Sequence, residues 1–65
     1  MRGKDIGAKL SALRGKRSQA EVAEDLGISV SALSMYECGN RIPRDEIKVR
    51  IANYYGKSVS EIFFN

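Results

Sequence analysis

The 65-residue chain has no histidine, no tryptophan, one cysteine and one proline. Each shortage excludes something. Without histidine, and with Cys38 as the only thiol, the usual zinc-ligand sets cannot be assembled and no internal disulfide can form. The commonest general base is missing too. No nucleophile–base pair, paired-carboxylate signature or glycine-rich phosphate loop takes its place. The chain does not read as an enzyme, and no cofactor, metal or small-molecule ligand is expected. No apolar run approaches the ~20 residues of a membrane span, and no signal peptide is evident. A lone thiol suits a reducing compartment. The expected location is therefore the cytoplasm, with no membrane partner.

Charge is scarce in one place and crowded in others. Residues 18–37 hold Glu21, Glu24, Asp25 and Glu37 and no base at all. Residues 1–17 carry Arg2, Lys4, Lys9, Arg14, Lys16 and Arg17 against Asp5 alone. Residues 38–65 carry Arg41, Arg44, Lys48, Arg50 and Lys57 against three acids, and the whole chain is at +3. Two basic flanks around an acidic-to-neutral centre suit a ligand with two negatively charged edges, although a solvated mixed-charge surface gives the same count. A chain this short buries only about 60% of its unfolded surface, so it forms one domain, 1–65, with an efficient core.

What is present is helical punctuation. Ile6, Leu10 and Leu13 recur at helical spacing over residues 4–14, and Gly15 follows as a stop. Gly7 lowers the propensity of that helix and suits close packing. Ser18-Gln19-Ala20-Glu21 has the form of a capping box, with Val22, Ala23 and Leu26 on the buried face and Gly27 at the end. Ser29 caps a third helix that buries Leu33 and part of Tyr36 and stops at Gly39. Pro43, Asp45 and Glu46 open a fourth, marked by Ile47, Ile51 and Tyr54 and closed by Gly56. Ser58-Val59-Ser60-Glu61 is a second capping box before Val59, Ile62 and Phe63. The reading is all-α: a compact five-helix bundle without strands or repeats.

Helices two and three carry the sharpest signal. Ala23 sits mid-helix, where a crossing helix needs a small neighbour. Gly27, four residues on, suits a left-handed turn. Leu33 follows six residues later to fill the angle between the helices. This is the pattern of two short helices meeting at about 90–120°. From Ser18 to Pro43 the residues SQAEVAEDLGISVSALSMYECGNRIP resemble, in register, the pattern SQxELAxxLGVSxSxISxWExGxRxP of the phage Cro and repressor helix-turn-helix family (lambda-repressor-like, XRE-type regulators). The likeness continues through helix four and the closing SVSEIFF. One departure is a shorter connection, with Gly15, Lys16 and Arg17 alone between Arg14 and Ser18.

The resemblance implies that helix three enters the major groove of double-stranded DNA and that a homodimer reads a two-fold symmetric site. It puts Val30, Ser31, Ser34 and Met35 at base-reading positions. None can make a bidentate bond to guanine or adenine, so soft readout is expected, with much of the affinity from phosphates and DNA shape. Phosphate contacts are expected from Lys16, Arg17, Ser18, Gln19, Ser29, the Tyr36 hydroxyl, Gly39, Asn40 and Arg41, with Arg44 a weaker candidate. The resemblance also pairs Glu37 with Arg14. Of Phe63 and Phe64 only one can face inward. The other, with Tyr55 on helix four, is a candidate dimer contact. The function expected is that of a transcriptional regulator acting as a repressor. The alternative is a protein-interaction module that uses the neutral face of helix three, as an antitoxin or anti-regulator would.

Overall fold

The computed structural model describes residues 3–64, and Arg2 lies outside them. The described residues form α1 (Gly3–Arg14), α2 (Gln19–Leu26), α3 (Val30–Glu37), α4 (Asp45–Tyr55) and α5 (Val59–Phe63), with no strand among them. They pack into a globule of 26 × 22 × 21 Å. None of these helices is long and apolar enough to cross a membrane.

Local chemistry sets the helix ends. Ser18, Ser29 and Ser58 each accept a hydrogen bond from the backbone three residues on, at 3.0 Å in every case. That satisfies an otherwise unpaired amide of the first turn. The full reciprocal box forms only at α5, where the Ser58 amide donates to Glu61 Oε1 at 2.9 Å. At α2 Glu21 does not return the bond, so only the serine half of that box is made. The two hydrogen bonds from Ser58 hold the Glu61 carboxyl below its ordinary value, the backbone one most strongly. α2, α3 and α4 all close with the Schellman pair of backbone bonds. At Gly27 the amide donates to the Glu24 carbonyl and the Ile28 amide reaches the Ala23 carbonyl. Gly27 has φ +73°, a left-handed conformation that a Cβ would strain.

The core draws on every helix: Ile6 and Leu10 from α1, Val22, Ala23 and Leu26 from α2, Leu33 and Tyr36 from α3, Ile47, Ile51 and Ala52 from α4, and Ile62 and Phe63 from α5. Burying one large apolar side chain is worth about 1.5–3 kcal/mol, so so small a domain needs contributions from all five. Phe63 is only 1% exposed, whereas Phe64 is 61% exposed. This corrects the dimer expectation for Phe63, which the core requires, and leaves Phe64 outside. Lys48 is buried as well. Its stem lies among core residues, and its ammonium sits 5.0 Å from the Phe64 ring centre and 3.7 Å from Asp45 Oδ1. A lysine stem serves as apolar cover while the charge stays near the rim.

Two cations reach across to helix ends that have no base of their own. Arg50 on α4 donates to the Leu26 carbonyl at 3.0 Å, and Lys9 on α1 donates to the Glu61 carbonyl at 3.2 Å. Neither α2 nor α5 has a basic residue in its last turn, so a neighbouring helix supplies the positive charge that the carbonyl end favours.

α1 and α3 meet backbone to backbone. A Cβ on Gly7 would lie 2.3 Å from the Glu37 carbonyl oxygen, and one on Gly3 would lie 2.5 Å from that of Gly39. The two glycines, one helical turn apart, form a flat strip on α1 that receives the C-terminal end of α3. That seat fixes where α3 stands.

Candidate nucleic-acid interface

α3 turns one side inward through Leu33 and Tyr36 and the other outward. Val30 is 45% and Met35 40% exposed, Ser31 is exposed, and Ser34 is half-buried. Of the four residues expected to read bases, Ser31, Ser34 and Met35 therefore share the outer side, and Val30 stands at the tip of the helix. This follows from Leu33 and Tyr36 facing the core three residues apart, which leaves positions 31, 34 and 35 on the other face, while Val30, three residues before Leu33, is exposed because it begins the helix.

The Glu37 carboxylate holds the base of this helix. Its Oε2 accepts from Arg14 Nε at 2.8 Å and its Oε1 accepts from Gln19 Nε2 at 2.9 Å. The Glu37 side chain is 5% exposed. One buried carboxylate thus ties the end of α1 and the start of α2 to the end of α3. The hydrogen bond to Glu37 raises the already high Arg14 pKa, so the guanidinium stays charged throughout the working range. Gln19 was expected to contact phosphate. It is half-buried and one of its amide protons is already used by Glu37, which leaves the other directed from the start of α2.

The loop after α3 folds back on the same helix. The Asn40 amide donates to the Met35 carbonyl at 3.0 Å and the Gly39 amide to the Tyr36 carbonyl at 3.2 Å. Asn40 and Arg41 are exposed immediately beyond. Lys16 and Ser18 are exposed in the α1–α2 loop, and Ser29 at the cap of α3. Arg44 is exposed and lies 3.8 Å from Glu46.

Three expected site residues have other roles. Arg17 does not stand free for phosphate: it donates to the Tyr54 hydroxyl at 2.9 Å and lies over the Tyr54 and Tyr55 rings at 5.2 and 5.6 Å. The Tyr54 hydroxyl in turn donates to Asp25 at 2.7 Å, and that bond raises the Tyr54 pKa. Tyr36 is 6% exposed, so its ring is a core element and little of it can reach a phosphate. Tyr55 is half-buried against the core with its hydroxyl enclosed and, among the described residues, unpartnered, which removes that hydroxyl from any dimer surface. The short α1–α2 connection explains Arg17, because it brings that side chain onto the end of α4.

The Tyr55 arrangement has a measurable consequence. Burial, with Glu37 nearby, raises its pKa. A group whose proton is held more tightly in the folded state contributes stability below its unfolded pKa of 10.0 and loses it as pH rises through the folded value. Tyr55→Phe removes a buried unpaired hydroxyl, which costs about 1–3 kcal/mol when unsatisfied. The variant is expected to be more stable than the parent at neutral pH by about 1 kcal/mol or more, the desolvation cost that the enclosed hydroxyl no longer imposes. The gain should widen above pH 10.0. Urea denaturation at both pH values measures it, and a destabilised variant would mean that the hydroxyl has a partner.

With this geometry in place, the comparison with known families is decisive. A family model described as helix-turn-helix matches residues 10–62, most of the chain. The chain belongs to the helix-turn-helix family. It is of the Cro and repressor type, and as such a DNA-binding regulator. No curated protein and no solved structure matches it. The matched span runs from Leu10 through α2 and α3 to Ile62. It therefore takes in the helix-turn-helix, the Arg14–Glu37–Gln19 cluster that braces it and the loop to Arg41. It does not reach Gly3 or Gly7, the residues on which α3 is seated.

Proposed function

We propose that this helix-turn-helix is a sequence-specific regulator of transcription, a repressor, that inserts α3 into the major groove and acts as a homodimer on a two-fold symmetric site. It forms a single domain acting in the cytoplasm. The observation that carries the reading is the outward face of α3, with Gln19 held at its C-terminal end by Glu37, Lys16 and Ser18 exposed in the connection before Gln19, and Asn40 and Arg41 exposed in the loop after α3. Such flanks position a helix by phosphate contacts while its outer side chains meet base edges. The Gly39 amide, expected to meet phosphate, is already used by the Tyr36 carbonyl. Val30 and Met35 can pack on thymine methyls, and Ser31 and Ser34 can bond several base edges. Phe64, exposed at the end of α5, is the remaining dimer contact of the three expected.

Selection of duplexes from a random pool tests this. The expected product is a symmetric motif. Binding should weaken with salt at a slope of roughly −3 to −5 per protomer for several phosphate contacts. Failure to bind any duplex at low salt overturns the proposal and favours the protein-interaction alternative.

The buried carboxylate gives an asymmetric prediction. Arg14→Gln takes the counter-ion from the Glu37 carboxylate beside the proposed phosphate path, whereas Glu37→Gln removes the carboxylate together with the ion pair. Both variants should lose stability. For DNA affinity measured where both are folded, Arg14→Gln is expected to fall at least ten-fold and Glu37→Gln distinctly less, because like charges repel most in a partly desolvated interface. Equal losses would show that the pair acts only through the fold.

A further inference from the structure

Most of the basic residues have partners within the domain. Lys9 and Arg50 hold helix carbonyls, Arg14 holds Glu37, Arg17 holds Tyr54, and Arg44 and Lys48 lie beside Glu46 and Asp45. Among the described residues this leaves Lys4, Lys16, Arg41 and Lys57 without an ion pair or side-chain hydrogen bond. Lys16 and Arg41 already belong to the proposed DNA face. Lys57 lies by a groove between α1 and α5, with Ala12, Leu13 and Ile62. Lys4 has no role in anything described so far.

Its position suggests one. A Cβ on Gly39 would lie 2.8 Å from the Lys4 amide nitrogen, so the first turn of α1 rests against the start of the loop that carries Asn40 and Arg41. Lys4 is exposed. Around the axis of α1, at about 100° per residue, Gly3 and Gly7 face α3 while Ile6 and Leu10 face the core. Lys4 falls on the far side of the α3 contact from the core. That is the direction in which α3 presents its own outer face. Lys16 stands beyond the opposite end of the same helix. Twelve residues at 1.5 Å each make α1 about 18 Å long, enough to bridge a major groove about 12 Å wide.

We propose that Lys4 is a phosphate-contacting residue that shares one DNA strand with Asn40 and Arg41, while Lys16 and Gln19 hold the other, with α1 as the rigid spacer between them. The proposal rests on the reading of α3 as a groove-binding helix and adds a residue outside the matched span. Because the contact is electrostatic, Lys4 contributes to affinity on every sequence and to preference on none.

The test compares Lys4→Gln, Arg41→Gln and Lys57→Gln with the parent on one duplex across a salt series. Circular dichroism establishes that each variant is folded. Lys4→Gln is expected to reduce the salt slope by about 0.9, so that its deficit shrinks roughly three-fold over a four-fold rise in salt. It should do so equally on selected and random duplexes. Lys57→Gln, on the side of α1 turned to α5, should leave the slope unchanged. If Lys4→Gln matches Lys57→Gln while Arg41→Gln loses slope, the proposal fails and the groove-binding reading stands. If the parent binds no duplex, both fail together.

Discussion

Gly7→Val is expected to unfold the domain or to displace α3 from its seat, with a loss of about 3 kcal/mol or more. The reasoning weighs two opposed effects. In an isolated helix, replacing glycine by alanine gains up to about 1 kcal/mol in propensity. Here the added Cβ would lie 2.3 Å from the Glu37 carbonyl oxygen, 2.8 Å from its carbon and 3.0 Å from the Gly39 amide nitrogen. All three are backbone atoms, and no side-chain rotation relieves the contact. Overpacking of this kind costs about 1–3 kcal/mol and sometimes more. For Gly7→Ala the clash outweighs the propensity gain, leaving a net loss of about 1–2 kcal/mol. For valine the branches add to the clash and propensity gives less back. A domain of 65 residues has about 3–10 kcal/mol in all, so valine removes much of it. Ala8→Val, at the exposed neighbouring position, is the control for β-branching alone. Denaturation followed by circular dichroism measures all three. A Gly7→Ala variant more stable than the parent would show that the α1–α3 contact is looser than described. The functional reach of the prediction is that α3 is positioned by a residue that touches no ligand.

Phe63→Ala is expected to cost about 3–5 kcal/mol, the range for a buried phenylalanine, and to leave little folded protein. Phe64→Ala should cost less than about 1 kcal/mol, because a ring that is 61% exposed loses little burial and one exposed cation–π contact with Lys48. Phe63 ends the helix and Phe64 follows it as the C-cap, so the two rings differ in burial although the Lys48 ammonium lies 5.8 Å from one ring centre and 5.0 Å from the other. The pair therefore separates core from surface. Unfolding midpoints at several protein concentrations make the distinction sharp. A core residue shifts the midpoint equally at all concentrations, whereas a dimer contact shifts it more where dimer is populated. A large Phe64 effect with a small Phe63 effect would reverse their assignment.

Much of the fold was legible because its signals are local. Ser29 followed by an amide three residues on, Gly27 at a left-handed turn, and Leu33 at the spacing that fills the α2–α3 angle are all decided within a few residues of chain. The outward face of α3 was legible for the same reason: once Leu33 and Tyr36 point inward, helical geometry sends Ser31, Ser34 and Met35 the other way and leaves Val30 at the tip. Gly7 reads from the sequence as a packing residue, though its partner does not. The expectations that needed revision all depend on a neighbour far away in sequence. Arg17 meets Tyr54, thirty-seven positions on, and Gln19 meets Glu37, eighteen on. Composition offers a cation or an amide at such a position and cannot say which neighbour it will meet.

By itself the sequence determined five helices, their limits, the helix-turn-helix and the side of α3 that faces outward, since caps, turns and amphipathic spacing act over three or four residues. Only the tertiary structure decided that Lys48 lies buried under Phe64, that Arg50 and Lys9 serve the ends of other helices, that Phe63 rather than Phe64 completes the core, and that Glu37 joins three helices. Those outcomes turn on distances between elements remote in the chain, and such distances exist only once the core has closed.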